Sequence, residues 1–127
     1  MSSSPPHALE EQPSVQIEFH PDSAPGFTAR IALCGQHDHA TAAELQDAFA
    51  SVYGSILVDL SACEFIDSSV LRTMLDKRER LARDGQRLEL LVPEHRRKIA
   101  RVLAISEVDR LLRVHVALPP AQRGPSR

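Results

Sequence analysis

The sequence predicts a single α/β domain: a five-stranded mixed sheet, opened by an antiparallel hairpin, with helices packed against it. Segments with strand periodicity alternate along the chain with segments of helical periodicity. The chain has 127 residues, 43% of them hydrophobic, which suits one domain and is too short for two. Six of the nine prolines lie near the ends, so we expect the domain to span residues 14–118, with flexible tails at 1–13 and 119–127.

The opening hairpin is predicted by two short runs of alternating side chains. Residues 15–19 and 27–33 each alternate apolar and polar residues, which is typical of strands with one buried face. Residues 20–26 between them contain two prolines and a glycine, a composition that favours turns. We expect Gly35 to end the second strand.

The remaining chain predicts three helices and three further strands in alternation, which requires right-handed crossovers and a mainly parallel sheet. Thr41 and Glu44 match a capping box, with Thr41 as the N-cap of the first helix. The second helix begins near Ser68, and Pro93 suits the first position of the third. We expect the further strands at residues 56–60, 88–92 and 112–118.

Composition argues against several classes of function. Aromatic residues make up 4% of the chain and Trp is absent, so a base-stacking surface for single-stranded nucleic acid is not expected. No apolar run approaches the roughly 18 residues of a membrane span, and the first residues lack the basic and apolar regions of a signal peptide. Cys34 and Cys63 lie in or just after apolar runs, which favours buried, unreactive thiols in a reducing cytoplasm.

Charge is distributed unevenly along the chain. Residues 1–71 hold one basic and ten acidic residues, a charge of −9, whereas residues 72–127 hold fourteen basic and seven acidic residues, a charge of +7. Such asymmetry can mark a partner surface or a nucleic-acid face, unless the two halves interleave in space. For the basic stretch at residues 94–98 with Arg101, a solvated helix face is the favoured interpretation over nucleic-acid binding.

The segment Asp67-Ser68-Ser69 is the most informative for function. It lies where a buried strand leads through a short loop into a helix, so free backbone amides and the positive end of the helix dipole meet there. A phosphate on an exposed hydroxyl at that point is electrostatically tolerated. The simpler interpretation is that Asp67 or Ser68 only caps the helix. However, a small hydroxyl beside the apolar Phe65 and Val70 exceeds what a cap requires.

These residues resemble the signature of STAS domains, in particular of the bacterial anti-sigma-factor antagonists. The resemblance is carried by Asp59-Leu60-Ser61, followed after three residues by Phe65-Ile66-Asp67-Ser68-Ser69. Gly35-Gln36-His37-Asp38, followed by Thr41, is similar to the family's Gly-Glu-Leu-Asp-x-x-Thr segment. The resemblance covers residues 14–118 and implies a STAS-like fold, whose order of strands and helices agrees with the one predicted above.

The resemblance also implies a mechanism. In such proteins, the serine directly after the aspartate, here Ser68, is phosphorylated by a serine kinase that doubles as the anti-sigma factor. The unmodified antagonist binds the kinase and frees the sigma factor, and the phosphorylated form no longer binds until a phosphatase resets it. Ser69 is the weaker candidate. No nucleophile elbow or phosphate-binding loop is present in the sequence, so we expect an acceptor and not an enzyme.

An acidic rim is predicted around Ser68, because Asp38, Asp59, Glu64 and Asp67 lie in segments expected at one end of the sheet. Such a rim fits a partner that carries Arg or Lys, and an added phosphate would disrupt docking there. Val70 stands where family members often carry Gly. The predicted partner-binding residues are Asp38, Glu64, Phe65, Asp67, Ser69 and Val70.

Two other interpretations remain open. A STAS scaffold or regulatory subunit of a stress-signalling or transport-associated complex would share the fold and differ in its partner. An enzyme using Asp67 and Ser68 would need a base, for which His37 and His39 are the candidates. These two histidines without further ligands nearby make a poor metal site, so no metal or other cofactor is expected. Neither direct nucleic-acid binding nor membrane insertion is expected.

Overall fold

Within residues 12–119, the fold is a six-stranded mixed sheet with three α-helices packed against one face. The computed structural model describes residues 12–119, so the predicted tails lie almost wholly outside the described residues. The strand order is β1-β2-β3-β5-β6, and β4 pairs with β2 off this path. The β1–β2 pair is antiparallel and the other pairs are parallel. The elements are β1 (Ser14–Phe19), β2 (Ala29–His37), α1 (His39–Ala50), β3 (Ile56–Asp59), β4 (Cys63–Ile66), α2 (Ser68–Arg83), β5 (Leu88–Leu91), α3 (Arg97–Ile105), a 3-10 helix (Val108–Arg110) and β6 (Arg113–His115).

The five predicted strands are the five of the main path, and the sixth, β4, lies where the sequence predicted a loop. Periodicity does not reveal β4 because its two central residues, Glu64 and Phe65, are both exposed. The prediction that Gly35 ends β2 is wrong. Gly35 instead has a φ of +86°, and the register shifts between Gly35 and Gln36. This irregularity lets β2 continue past the end of β3 and pair with β4.

The first helix begins earlier than the sequence predicted. Its N-cap is Asp38, whose side chain accepts a hydrogen bond from the backbone amide of Ala40 at 2.9 Å. The Thr41 hydroxyl accepts one from the backbone amide of Asp38 at 3.1 Å. Asp38 and Thr41 therefore form the capping box that the sequence analysis assigned to Thr41 and Glu44. The prediction placed the capping box three residues too late, because Asp38–Thr41 and Thr41–Glu44 both have the spacing of a capping box.

The third helix begins later than predicted, and the last strand is shorter. Pro93 does not open α3, because the Arg96 amide donates to the Pro93 carbonyl at 2.9 Å and closes a turn. The helix then begins at Arg97. The strand expected over 112–118 is reduced to β6, Arg113–His115, which pairs only with β5 in the described sheet.

The main core lies between the sheet and the helices, and its buried strand residues include Ile31, Val58 and Leu90. On the other face of the sheet, the loop between β1 and β2 packs Ala24 and Phe27 against the strands. The thiol of Cys63 is buried in the main core, and burial raises its pKa to about 11. Such a thiol is a poor nucleophile at neutral pH.

Asp59 is part of the sheet and not of an exposed acidic rim. Only 7% of it is exposed, and its Oδ2 accepts hydrogen bonds from Arg30 Nε at 3.0 Å and Nη2 at 2.6 Å. Its Oδ1 accepts from the amide of Ser61 at 2.9 Å. Burial alone would raise the pKa of Asp59, but the hydrogen bonds from Ser61 and Arg30 outweigh it and lower the pKa. The prediction that Asp59 belongs to the rim is therefore wrong, because its charge is compensated within the fold.

Replacing Arg30 should destabilise the protein because it leaves the Asp59 carboxylate only partly satisfied. We expect Arg30→Met to lower the free energy of unfolding by about 2 kcal/mol at pH 7, measured by urea denaturation. Because the pKa of Asp59 is lowered, the stabilisation from its ion pair with Arg30 is complete above pH 3.8, the ordinary pKa of Asp. This stabilisation is lost as the pH falls through the pKa of Asp59 in the folded protein. The cost of Arg30→Met should therefore shrink below that pH. A cost under about 0.5 kcal/mol at pH 7 would contradict this assignment.

Candidate functional site

Two helices begin side by side at the carboxyl ends of β2 and β4. His37 pairs with Ile66 at the ends of these strands, and the amide of Asp67 donates to the His37 carbonyl at 3.2 Å. Asp38 then caps α1 and Asp67 caps α2. We call the residues exposed or half-buried at this edge the Ser68 surface: Asp38, Glu64, Phe65, Asp67, Ser68 and Ser69.

The Asp67 carboxylate organises this edge. Its Oδ1 accepts hydrogen bonds from the amides of Ser69, at 3.0 Å, and Val70, at 3.2 Å, and from the Ser69 hydroxyl at 2.6 Å. Desolvation would raise the pKa of Asp67, but the hydrogen bonds from Ser69 and Val70 prevail and lower it, with a smaller contribution from the nearby His39 amide. The ionised carboxylate thus fixes the first turn of α2.

The two neighbouring serines differ in what their hydroxyls do. Ser68 is the first residue of α2 and is exposed. Within residues 12–119, no hydrogen bond engages its hydroxyl, whereas the half-buried Ser69 donates to Asp67. The simpler interpretation, that Asp67 or Ser68 caps the helix, is correct for Asp67, which is the N-cap, and leaves Ser68 without a capping role. The fold therefore presents the Ser68 hydroxyl to solvent without using it.

The other predicted partner-binding residues divide between the surface and the core. Asp38 and Glu64 are exposed, and Phe65 is 45% exposed, so all three are accessible to a partner. Val70 is 1% exposed and belongs to the main core. Val70 is therefore not available for direct contact with a partner, and we withdraw it from the predicted surface.

Arg72 is a residue that the sequence analysis missed. It is exposed and follows Ser68 by four residues in α2, so the two lie on the same side of the helix. Within the described part of the chain, Arg72 forms no ion pair. The i, i+4 spacing was visible in the sequence and could have identified Arg72 as a cation within reach of a group on Ser68.

His37 is a structural residue and not a candidate base or ligand. It is fully buried, its Nδ1 lies 3.1 Å from the Thr41 hydroxyl, and its Nε2 lies 3.0 Å from the Cys34 carbonyl. Both ring nitrogens are therefore engaged inside the fold. In the region covering residues 12–119, no three His, Cys, Asp or Glu side chains are grouped as metal ligands would be. No helix in that region is both long and apolar enough to cross a bilayer.

Removing the Asp67 cap should destabilise α2, whereas removing the Ser68 hydroxyl should not. We expect Asp67→Ala to lower the free energy of unfolding by about 1 kcal/mol at pH 7. Ser68→Ala, the matched control, should change it by less than about 0.5 kcal/mol. Because the pKa of Asp67 is lowered, the stabilisation that its carboxylate gives to α2 is complete above pH 3.8. It is lost as the pH falls through the pKa of Asp67 in the folded protein. Equal costs for the two variants at pH 7 would show that the capping assignment is wrong.

Comparison with known proteins places this geometry in context. A family model described as "Mlab, STAS domain" matches residues 21–113. Among solved structures, an anti-sigma factor antagonist from Mycobacterium paratuberculosis is 20% identical, with a TM-score of 0.68 over 85% of this chain and 89% of that chain. A putative anti-sigma factor antagonist from Thermotoga maritima is 18% identical, with a TM-score of 0.62 over 82% and 87%.

A third structure, the Bacillus cell fate determinant SpoIIAA in the phosphorylated form, is 19% identical, with a TM-score of 0.59 over 80% of this chain and 90% of that chain. At such identities, the likeness to these structures establishes a common fold. Among curated proteins, no sequence matches this chain.

Proposed function

The chain belongs to the STAS domain family, and from that premise we propose that it acts as an anti-sigma-factor antagonist. It binds an anti-sigma-factor serine kinase, which frees the sigma factor, and phosphorylation of Ser68 ends the binding. The observation that carries this proposal is the exposed Ser68 hydroxyl, which lies in the first turn of α2 and has no hydrogen-bond partner among the described residues. The existence of a phosphorylated form of SpoIIAA, which has the same fold, is consistent with it.

The Ser68 surface suits a phosphate acceptor better than a catalyst. A serine nucleophile needs a base. The Asp67 carboxylate is occupied by the start of α2, and both His37 nitrogens are engaged. His39 is exposed, and among the described residues its ring forms no hydrogen bond with Ser68. The kinase therefore supplies the base, the nucleotide and the metal ion. We accordingly propose that the chain is a binding protein and not an enzyme, and that it acts in the cytoplasm, where sigma factors are regulated.

Phosphorylation changes the surface through charge. A phosphate adds about −1.5 to −2 charges, next to the carboxylates of Asp67 and Asp38. The helix dipole and Arg72 stabilise the phosphate on the chain itself, so the modified state is stable. A kinase must hold nucleotide phosphates against the same hydroxyl, so it meets like charge there. Burying the dianion beside Phe65 also removes its hydration. Both effects dissociate the complex, and a phosphatase restores binding.

A second candidate function is a STAS scaffold or regulatory subunit of a stress-signalling or transport-associated complex. The observation that favours it is the description of the matching family model, "Mlab, STAS domain", which does not mention sigma-factor regulation. The same Ser68 surface would then bind a different protein. The identity of the captured partner separates the two functions.

The proposed switch can be tested with charge variants at one position. We expect the unmodified chain, immobilised and incubated with extract of its own cells, to retain a serine kinase identified by mass spectrometry. Ser68→Asp should lose that kinase, because the carboxylate adds charge to the Ser68 surface, whereas the neutral Ser68→Asn should keep most of it. Equal retention by Ser68→Asp and Ser68→Asn would refute the switch. Retention of a transport complex and no kinase would favour the second function.

The modified residue can be identified directly. Incubation with the retained kinase and ATP should add one phosphate to the native chain and to Ser69→Ala, and none to Ser68→Ala. Intact-mass measurement reads all three reactions. A phosphate on Ser68→Ala that is absent from Ser69→Ala would move the site to Ser69.

A further inference from the structure

Helix α3 carries a group of cations that the fold does not use. Arg97, Lys98 and Arg101 are exposed. Across residues 12–119, none of the three takes part in an ion pair, whereas Arg30, Arg87 and Arg110 each do. Arg96, just before the helix, is different because its Nε donates to the Ser61 carbonyl at 2.6 Å and so fixes the helix to the β3–β4 turn. The three exposed cations have no such structural partner.

The position of these cations opposes the stability of α3. Arg97 and Lys98 are the first two residues of the helix, at the positive end of its dipole, where basic side chains are unfavourable. The N-cap, Arg96, makes no capping hydrogen bond through its side chain, and the first turn has no acidic residue. Residues that disfavour the helix or strand in which they lie, with no compensating contact, are most often found at functional surfaces.

Two concave surfaces flank the start of α3, and Arg97 lines both. A shallow groove of about 710 Å³ lies between α3 and the residues after β6, with an apolar floor that includes Pro93, Ala100 and Val116 and with Arg97 and Arg101 at its sides. Val116 is 61% exposed. The second cavity, of about 410 Å³, lies towards β4. It is lined by Gln36, Cys63, Glu64, His95, Arg96, Arg97, Lys98 and Ile99.

The two oppositely charged halves of the sequence interleave in space. Helix α3, from the basic half, packs against β4, and most of α2 comes from the basic half and packs against α1. The charge asymmetry along the chain is therefore not in itself an asymmetry of the molecule, and the cations of α3 are a local feature of its surface.

We propose that this α3 surface, formed by Pro93, Arg97, Lys98, Ala100, Arg101 and Val116, binds a protein segment that carries both carboxylates and apolar side chains. The carboxylates pair with the cations and the apolar side chains cover the groove floor. The inference rests on the proposed function for the identity of the protein that carries the segment. Glu64 lines the cavity beside α3 and belongs to the Ser68 surface, so one partner can cover both.

Two other polyanions fit this surface less well. The regularly spaced phosphates of a nucleic acid would meet Glu94 in the groove and Glu64 in the cavity, and they would leave the apolar floor uncovered. An anionic membrane requires apolar side chains that project from a surface, whereas Pro93 and Ala100 line a concave groove. A protein segment can alternate its side chains to match both features.

An NMR titration of the full chain tests the inference without any kinase. The probe is a synthetic peptide of about 12 residues with a repeated Glu-Glu-Leu sequence, and the control peptide has Gln in place of Glu. We expect amide shifts at residues 94–101 and 116, and no comparable shifts with the control peptide. The double variant Arg97→Glu/Lys98→Glu should bind the probe at least about tenfold more weakly, because it reverses two charges of the surface. Glu at these positions agrees with the helix dipole, so the variant should fold.

The matched control reverses the charges of two basic residues outside the α3 surface. Arg80 and Arg83 are exposed in the last turn of α2, at the opposite end of that helix from Ser68. We expect Arg80→Glu/Arg83→Glu to bind the probe within about twofold of the native affinity. Equal weakening by both double variants would show attraction by net charge alone and would overturn the inference.

Further titrations separate this proposal from the binding of other ligands and from the proposed function. In two of them, short duplex DNA or phosphatidylglycerol vesicles replace the peptide. If either binds more tightly than the peptide, and Arg97→Glu/Lys98→Glu loses that binding, the proposal is overturned. Ser68→Asp should bind the peptide like the native chain, so a failure of the Ser68 switch leaves this result intact. If the kinase retained by the native chain binds Arg97→Glu/Lys98→Glu equally well, the α3 surface is not part of its docking site, and the inference fails while the Ser68 switch stands.

Discussion

The hydrogen bonds of the Asp67 carboxylate are the interaction on which the functional site depends. They satisfy the amides of Ser69 and Val70 in the first turn of α2 and engage the Ser69 hydroxyl. Because Asp67 and Ser69 are used by the fold, Ser68 lies between them as an exposed residue whose hydroxyl makes no hydrogen bond within residues 12–119. One carboxylate thereby distinguishes a serine that the fold uses from the serine that we propose as the phosphorylation site.

This arrangement exists because β2 is longer than the strand beside it. After pairing with β3, the chain bends at Gly35 and continues to His37, alongside β4. A side chain at Gly35 would be strained by the positive φ and would lie 3.2 Å from the Gln12 carbonyl oxygen. The bend brings the ends of β2 and β4 together, and with them the N-termini of α1 and α2. The geometry of the Ser68 surface is therefore set by strand pairing, which is less easily deformed than a loop.

The sequence predicts the parts of this molecule that depend on local pattern. The fold class, the strands of the main path and a helix beginning at Ser68 follow from apolar periodicity and capping residues. Features that depend on tertiary contacts could not be predicted from the sequence. Strand β4 has no alternation of apolar and polar residues, and the charge of Asp59 is compensated by Arg30, which is 29 residues away. The burial of Val70 follows from its position on the core side of α2, because two residues of helix place it roughly opposite the exposed Ser68.

The switch that we propose at the exposed Ser68 hydroxyl would alter a surface and leave the fold unchanged. The amide NMR spectrum of the chain phosphorylated on Ser68, compared with that of the unmodified chain, tests this claim most directly. The account predicts that chemical-shift changes are confined to residues near the modified group, at 37–40 and 64–72, with β3 and β5 unaffected. Changes spread through β3, β5 and the core would show that phosphorylation acts by rearranging the fold, and would contradict the account.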